Sequence, residues 1–193
     1  MSRLPQEAAL NPSANPGELR GRSLGAGRML LVCLAMVLLA GCAHRPAEIP
    51  GGMSWLSPLS LEPMGAHDWI PEDGRGRVVL VQFMATWCVP CLQQQPALEE
   101  LRARYEPQGL SVVWVGMDLE GAQVLVPFAE GLAPSWPVLL ADAPLRGGET
   151  LYGQIRELPT TVLLGRDGRA VQAWSGLASP SKIAPLIEEA LGD

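Results

Sequence analysis

The feature that most limits what this chain can fold into is an apolar strand followed closely by two cysteines. Val78–Met84 (VVLVQFM) is almost entirely apolar and rich in β-branched residues, which is typical of a strand buried on both faces of a sheet. Cys88 and Cys91 come next, and apolar residues at helical spacing then continue to Tyr105. The pattern predicts a strand, a loop that carries the cysteines, and a helix.

The rest of the pattern predicts an α/β domain with a mixed sheet. A second apolar strand after the helix completes a βαβ unit, whose two strands run parallel. The predicted elements that follow are a strand at 111–117, a weaker helix at 121–131, a strand at 137–140, a hairpin of strands at 160–164 and 170–174, and a last helix from Ser179. The hairpin is indicated by the Asp167-Gly168 step.

The amino-terminal region predicts export. Four arginines and two glutamates precede Cys42, and residues 29–40 form an uncharged apolar run. This run is shorter than the roughly 20 residues that an ordinary membrane-spanning helix needs, and it fits the apolar core of a secretory signal. We therefore expect residues 1–41 to be a signal peptide and the protein to act outside the cytoplasm.

The signal ends in Leu-Ala-Gly followed by Cys42, which resembles the lipobox of bacterial lipoproteins. Cys42 would then be the lipidated first residue of the mature protein, anchored to a bacterial membrane without spanning it. Residues 42–58, rich in Pro, Gly and Ala, are predicted to be a flexible tether, and residues 59–193 the folded domain. An ordinary signal peptide with a chance cysteine is the alternative.

The position of the two cysteines explains their chemistry. Cys88 is expected at the amino terminus of a helix, where unpaired N–H groups and the helix dipole favour the thiolate that attacks a disulfide. Cys91, one turn later and less exposed, would resolve the mixed disulfide. Pro90 suits the first helical turn because it has no N–H to lose. Trp87 would shield the disulfide.

Other uses of a cysteine pair fit less well. A structural zinc site needs two more ligands, and the chain offers only His44 and His67. A purely structural disulfide gains little from so small a loop. Copper delivery usually adds a histidine, and none follows His67. We expect no metal and no bound cofactor, and the net charge of −6 gives no basic surface for nucleic acid.

Four segments in order, VVLVQFMATWCVPC, QQQPALEEL, SVVWVGMD and LPTTVLLGRDGRAV, resemble the membrane-anchored thioredoxin-like proteins of the TlpA and ResA type. The resemblance implies a thioredoxin-like fold, with a central mixed β-sheet flanked by helices. It also implies a protein-disulfide reductase of the kind that works in cytochrome c maturation or elsewhere in the cell envelope. Its partners would be protein thiols and disulfides and an upstream membrane thiol donor.

The same resemblance assigns a role to the segment around Pro159. Pro159 would be the cis-proline that packs against the active-site cysteines in this family. The backbone of Leu158 would then be free to pair with an extended substrate strand, and Thr160 would help to orient that strand. An ordinary trans turn proline is the alternative.

Two positions depart from the family pattern. Reductases of this type resemble one another in having a glutamate three residues after the second cysteine, and Gln94 stands there. Thioredoxin has a buried aspartate near the position of Gln82. Neither amide accepts a proton near neutral pH, so Gln82 and Gln94 are expected to modulate the cysteine pair and not to act as its base. Asp118 and Glu120 are candidate substitutes, although solvated loop carboxylates would be the ordinary description.

The sequence therefore predicts thiol:disulfide exchange, with reduction of substrate disulfides as the favoured direction. A disulfide oxidase or isomerase is an alternative within the same chemistry, because potentials of such pairs range from about −270 to −120 mV. A binding module that reacts slowly and holds extended peptides is an alternative of another class, motivated by Gln82 and Gln94.

Overall fold

The computed structural model describes residues 54–192. The predicted signal peptide at 1–41, the lipidation site Cys42 and most of the predicted tether lie outside the described residues, so these expectations remain predictions. Within residues 54–192, no helix is long and apolar enough to cross a membrane.

The described chain forms a six-stranded mixed sheet. Its strands are β1 (Glu62–Pro63), β2 (Val78–Met84), β3 (Leu110–Gly116), β4 (Val138–Leu140), β5 (Thr160–Leu164) and β6 (Ala170–Ser175). Their order across the sheet is β1-β4-β3-β2-β5-β6. Strand β2 pairs parallel with β3 and antiparallel with β5, so the strand that precedes the cysteines lies inside the sheet, as its apolar sequence predicts.

Within residues 54–192, four α-helices connect or follow the strands. They are α1 (Val89–Tyr105), α2 (Ala122–Leu132), α3 (Ala143–Gly147) and α4 (Pro180–Gly192). Helices α1 and α4 were predicted from apolar spacing, and α2 was predicted as a weaker helix at 121–131. Helix α3 was not, because five residues are too few to show a helical period; it begins where the side chain of Asp142 accepts a hydrogen bond from the N–H of Leu145 at 2.9 Å.

The alternation of side chains along the strands produces two apolar layers. Leu80 and Met84 of β2 point to the face covered by α1, α2 and α4, where Cys91 also lies. Val81 and Phe83 point to the opposite face, which is covered by the amino-terminal segment and α3. Both layers are needed because β2 lies inside the sheet and is buried on both faces.

The folded region begins earlier than the predicted boundary at Leu59. Leu56 keeps only 3% of its surface exposed and belongs to the layer opposite the long helices. The N–H of Trp55 donates to the carbonyl of Gly168 at 2.9 Å, and the hydroxyl of Tyr152 donates to the carbonyl of Trp55 at 2.6 Å. Residues 54–58 are thus packed against the domain, contrary to their assignment to the tether, because their large apolar side chains find partners far along the chain.

The topology gathers several loops at one edge of the sheet. Strands β2, β3 and β4 are parallel, so the segments that follow them start at the same edge. Strand β5 is antiparallel to β2 and therefore begins there. The cysteines after β2, Met117 to Leu119 after β3, helix α3 after β4 and Pro159 before β5 consequently share this edge, which is where open α/β sheets hold their sites.

Candidate active site

Cys88 and Cys91 form a disulfide at the amino terminus of helix α1. Cys88 is the N-cap residue, and its sulfur accepts a hydrogen bond from the N–H of Cys91 at 3.2 Å. The sulfur therefore occupies the place that a capping oxygen takes in other helices, next to the positive end of the helix dipole. Cys91 is completely buried and Cys88 is 3% exposed, so Cys88 is the one that retains contact with solvent.

The residues around the pair differ in exposure. Pro90 lies in the first turn of α1 and is exposed, as expected for a residue whose missing N–H costs the helix nothing. Trp87 is 70% exposed. Most of its ring surface is therefore available for contact with another molecule.

The peptide bond between Leu158 and Pro159 is cis, which agrees with the geometry that the family resemblance implies. Pro159 is buried and Leu158 half-buried. Among residues 54–192, no backbone hydrogen bond outside the helices and strands involves the N–H or C=O of Leu158. Thr160 begins β5, and its hydroxyl is already bonded, to the carbonyl of Glu157 at 2.8 Å and to the hydroxyl of Ser175 at 3.0 Å.

Asp118 is buried, although a solvated loop carboxylate was expected. The residue is 1% exposed, whereas Glu120, the other candidate, is exposed. Asp118 accepts hydrogen bonds from the N–H of Thr86 at 3.0 Å and from its hydroxyl at 2.6 Å. Because Thr86 stands two residues before Cys88, this contact fixes the loop that carries the cysteines to the end of β3. A carboxylate directly after a buried strand was the signal in the sequence.

Gln94 has a structural contact that its sequence position did not reveal. Its side-chain nitrogen donates to the carbonyl of Ala178 at 2.7 Å, and its side-chain oxygen accepts from the N–H of Ala178 at 2.8 Å. The residue is 3% exposed. Gln94, which the sequence indicated only as a modulator, thus forms a bridge between α1 and the segment that leads into α4.

Gln82, unlike Gln94, is a buried amide without hydrogen-bond partners among the described residues. It is completely buried in β2, and among the described residues neither its side-chain nitrogen nor its side-chain oxygen has a hydrogen-bond partner. Strand alternation puts it on the same face as Met84, which is the face that holds Cys91. A buried unpaired amide costs about 1 to 3 kcal/mol, so this position does not serve stability.

A groove at the same edge was also missed from the sequence. Its lining includes Trp87 together with Met117, Leu119, Arg146 and Arg156. These residues come from four separate segments, so no local spacing could have joined them. For His67, the structure shows an exposed side chain, and residues 54–192 contain no group of three potential metal-ligating His, Cys, Asp or Glu side chains.

The chain is similar in sequence to known thiol:disulfide proteins. A thiol-disulfide oxidoreductase ResA from Bacillus thuringiensis subsp. konkukian is 31% identical over 121 residues, which cover 61% of this chain and 66% of that protein. The chain thus spans just under two thirds of the length of this relative. The crystal structure of a putative thiol:disulfide interchange protein DsbE from Chlorobium tepidum is 28% identical, covers 63% of this chain and 84% of its own, and gives a TM-score of 0.52.

A thiol-disulfide isomerase from Corynebacterium glutamicum gives a TM-score of 0.58 at 17% identity, over 68% of this chain and 92% of that chain, which shows that the fold is thioredoxin-like. The sequence profile of the Redoxin family matches residues 71–179, more than half of the chain, and includes both cysteines and Pro159. The chain belongs to the Redoxin family.

Proposed function

We propose that this protein is a thiol:disulfide oxidoreductase that reduces disulfides of proteins outside the cytoplasm. The observation that carries the proposal is the unequal position of two sulfurs that can bond to each other. Cys88 caps helix α1 and retains solvent contact, whereas Cys91 is completely buried behind it. Such a pair can cycle between a dithiol and a disulfide, and only its outer sulfur can meet a large substrate.

The reaction begins with both cysteines reduced. The Cys88 thiolate attacks one sulfur of the substrate disulfide, forms a mixed disulfide and releases the first substrate thiolate. The Cys91 sulfur, after losing its proton to solvent, attacks Cys88 and releases the second substrate thiolate. Two electrons have then passed to the substrate, and the Cys88–Cys91 disulfide must be reduced by an external dithiol. No step needs a bound cofactor.

The surrounding residues would position the substrate. The free backbone of Leu158 offers one N–H and one C=O to an extended strand, in the manner of a strand added to a sheet edge. Pro159 would hold this backbone beside the disulfide, and Thr160 would set the direction in which β5 continues. The exposed ring of Trp87 would cover the other side of the substrate.

The location and partners of the protein are part of the proposal. The amino-terminal sequence supports export and a lipid anchor at Cys42, on the inner or outer membrane of a bacterium. The relatives named ResA and DsbE support protein thiols and disulfides as substrates. Cytochrome c maturation or general envelope redox work would supply them, and a membrane thiol donor would restore the dithiol.

A slow peptide-binding module is a second candidate, because Gln82 and Gln94 stand where related proteins carry acids. Reduction of insulin by the full-length protein with dithiothreitol separates the two. Catalysed turnover that is lost in Cys88→Ser supports the oxidoreductase, and turnover no faster than dithiothreitol alone would contradict it. Equilibration with glutathione buffers then gives the direction: a potential near −270 mV fits a reductase and one near −120 mV an oxidase.

A further inference from the structure

The groove beside the cysteines is lined in part by large apolar side chains that are exposed to solvent. It has a volume of about 450 Å³, within the range of about 300 to 1,000 Å³ that is typical of ligand sites. Leu119 is 86% exposed and Trp87 is 70% exposed, and both line it. Single exposed apolar residues are common on protein surfaces, but two large ones in one groove, together with Ile155 and Leu158, indicate an interaction site.

Two arginines complete the lining, and no acidic residue joins them there. Neither Arg146 nor Arg156 forms a salt bridge with any carboxylate of residues 54–192. Arg102 and Arg104, elsewhere on the surface, each pair with a glutamate. Arg156 is exposed, and its one side-chain hydrogen bond within the described chain is a 3.4 Å contact with Gln154.

The charge of the groove contrasts with that of the protein. The whole chain carries a net charge of −6, yet the groove next to the reactive disulfide presents two cations that have no acidic partner among residues 54–192. An arginine guanidinium is suited to carboxylates because it offers several N–H donors in one plane. The groove is thus complementary to a segment that has both apolar and acidic side chains.

We propose that this groove binds the segment of a substrate protein that flanks its disulfide, and that it selects segments in which an apolar residue is accompanied by acidic ones. This inference rests on the proposed function, since the occupant must reach Cys88 while it lies in the groove. Leu158 links the groove to the substrate strand at the cysteines, because it lines the groove and its backbone is free to pair with an extended strand. Arg146 and Arg156 are then specificity-determining residues.

Single-turnover reduction of two synthetic peptides tests the inference. Both peptides carry the same internal disulfide with a neighbouring leucine, and they differ only in having two glutamates or two lysines beside it. With full-length, pre-reduced protein in detergent, we expect the acidic peptide to react about three- to tenfold faster at low salt, as exposed ion pairs permit. In 1 M NaCl the preference should nearly vanish, because the Debye length falls to about 3 Å.

Charge reversal supplies the controls. Arg146→Glu combined with Arg156→Glu should invert the preference. Arg156→Glu alone should reduce it at least twofold, and this variant keeps the test valid if loss of the bond from Arg146 to the carbonyl of Ala141 impairs folding. Arg75→Glu is the matched control, because Arg75 is exposed and lies before β2, at the opposite end of the strand from the cysteines; it should leave the ratio unchanged.

The outcomes separate the two proposals. Equal rates for both peptides with the wild-type protein, or a ratio that Arg156→Glu leaves unchanged, would overturn the inference about the groove alone. Wild-type protein that reduces neither peptide would overturn the proposed function, and this inference with it.

Discussion

Gln94 and Ala178 are joined by two hydrogen bonds, one in each direction, between the side-chain amide of Gln94 and the backbone of Ala178. The amide therefore connects helix α1, which carries the cysteines, to the segment before α4. A glutamate at this position could accept from the N–H but, when ionised, could not donate to the carbonyl. The glutamine at position 94, where the family pattern has a glutamate, is thus part of the contact between these two segments.

Gln94→Glu is accordingly expected to destabilise the fold. Loss of the donor leaves the Ala178 carbonyl facing a carboxylate in a buried place, which should cost about 1 to 3 kcal/mol at pH 7. Below about pH 4 the protonated glutamate can donate again, so the cost should shrink. Urea unfolding at both pH values measures this. Gln93→Glu is the matched control, since Gln93 is exposed on the same helix and should change little; equal effects of the two substitutions would contradict the account.

Asp118 is expected to hold the cysteine loop in place. Asp118→Ala removes the acceptor of the Thr86 N–H and hydroxyl, and should lower the free energy of unfolding by about 1 to 3 kcal/mol. Glu120→Ala, at an exposed neighbouring position, should change it by less than about 0.5 kcal/mol. A double-mutant cycle with Thr86→Val should give a coupling of at least about 0.5 kcal/mol. Additive effects would show that the two side chains do not interact.

Tyr152 gives the protein a specific sensitivity to alkaline pH. Burial raises the pKa of Tyr152 above the value of about 10 that it has in the unfolded chain. Above pH 10 the unfolded chain therefore loses a proton that the folded protein keeps, and stability falls by up to about 1.4 kcal/mol per pH unit for this group. Below pH 10 the group has no such effect.

Tyr152→Phe tests this dependence. The variant keeps the ring that packs against Phe83, and loses the bond to Trp55, which should cost about 0.5 to 1.5 kcal/mol at pH 7. Between pH 10 and 11 its stability should fall less steeply than that of the wild type. Part of the slope should remain, because burial and the hydrogen bond to Glu188 also raise the pKa of Tyr105. Parallel pH profiles of urea unfolding would refute the assignment to Tyr152.

The lipid anchor is tested at Cys42. Acyl chains contribute about 0.8 kcal/mol for each buried CH₂, so two or more should keep the mature protein on a membrane. In bacterial cells, the wild-type protein should sediment with membranes and incorporate labelled fatty acid, and Cys42→Ser should do neither. Wild-type protein found unlabelled in the soluble fraction would refute the prediction.

The sequence predicted those elements best whose structure follows from a single local pattern of residues. Strand β2 has the predicted bounds, Val78–Met84, because every residue in it is buried and all but Gln82 are apolar. The cysteine pair was evident from spacing alone. The partner of Gln94 lies 84 residues away, and that of Asp118 lies 32 residues away, so neither contact could be predicted from local pattern. Helix α3 was missed because five residues are too few to show a helical period, and the groove was missed because its lining comes from segments that meet only in the fold.

In the proposed reaction, Cys88 attacks the substrate and Cys91 resolves the mixed disulfide. Full-length protein with Cys91→Ala should form a stable mixed disulfide when incubated with a protein that contains an accessible disulfide, and mass spectrometry of the unreduced peptides should find the link at Cys88. Cys88→Ala should trap little, because the remaining sulfur at Cys91 is completely buried. Equal trapping by both variants, or a link at Cys91, would contradict the account.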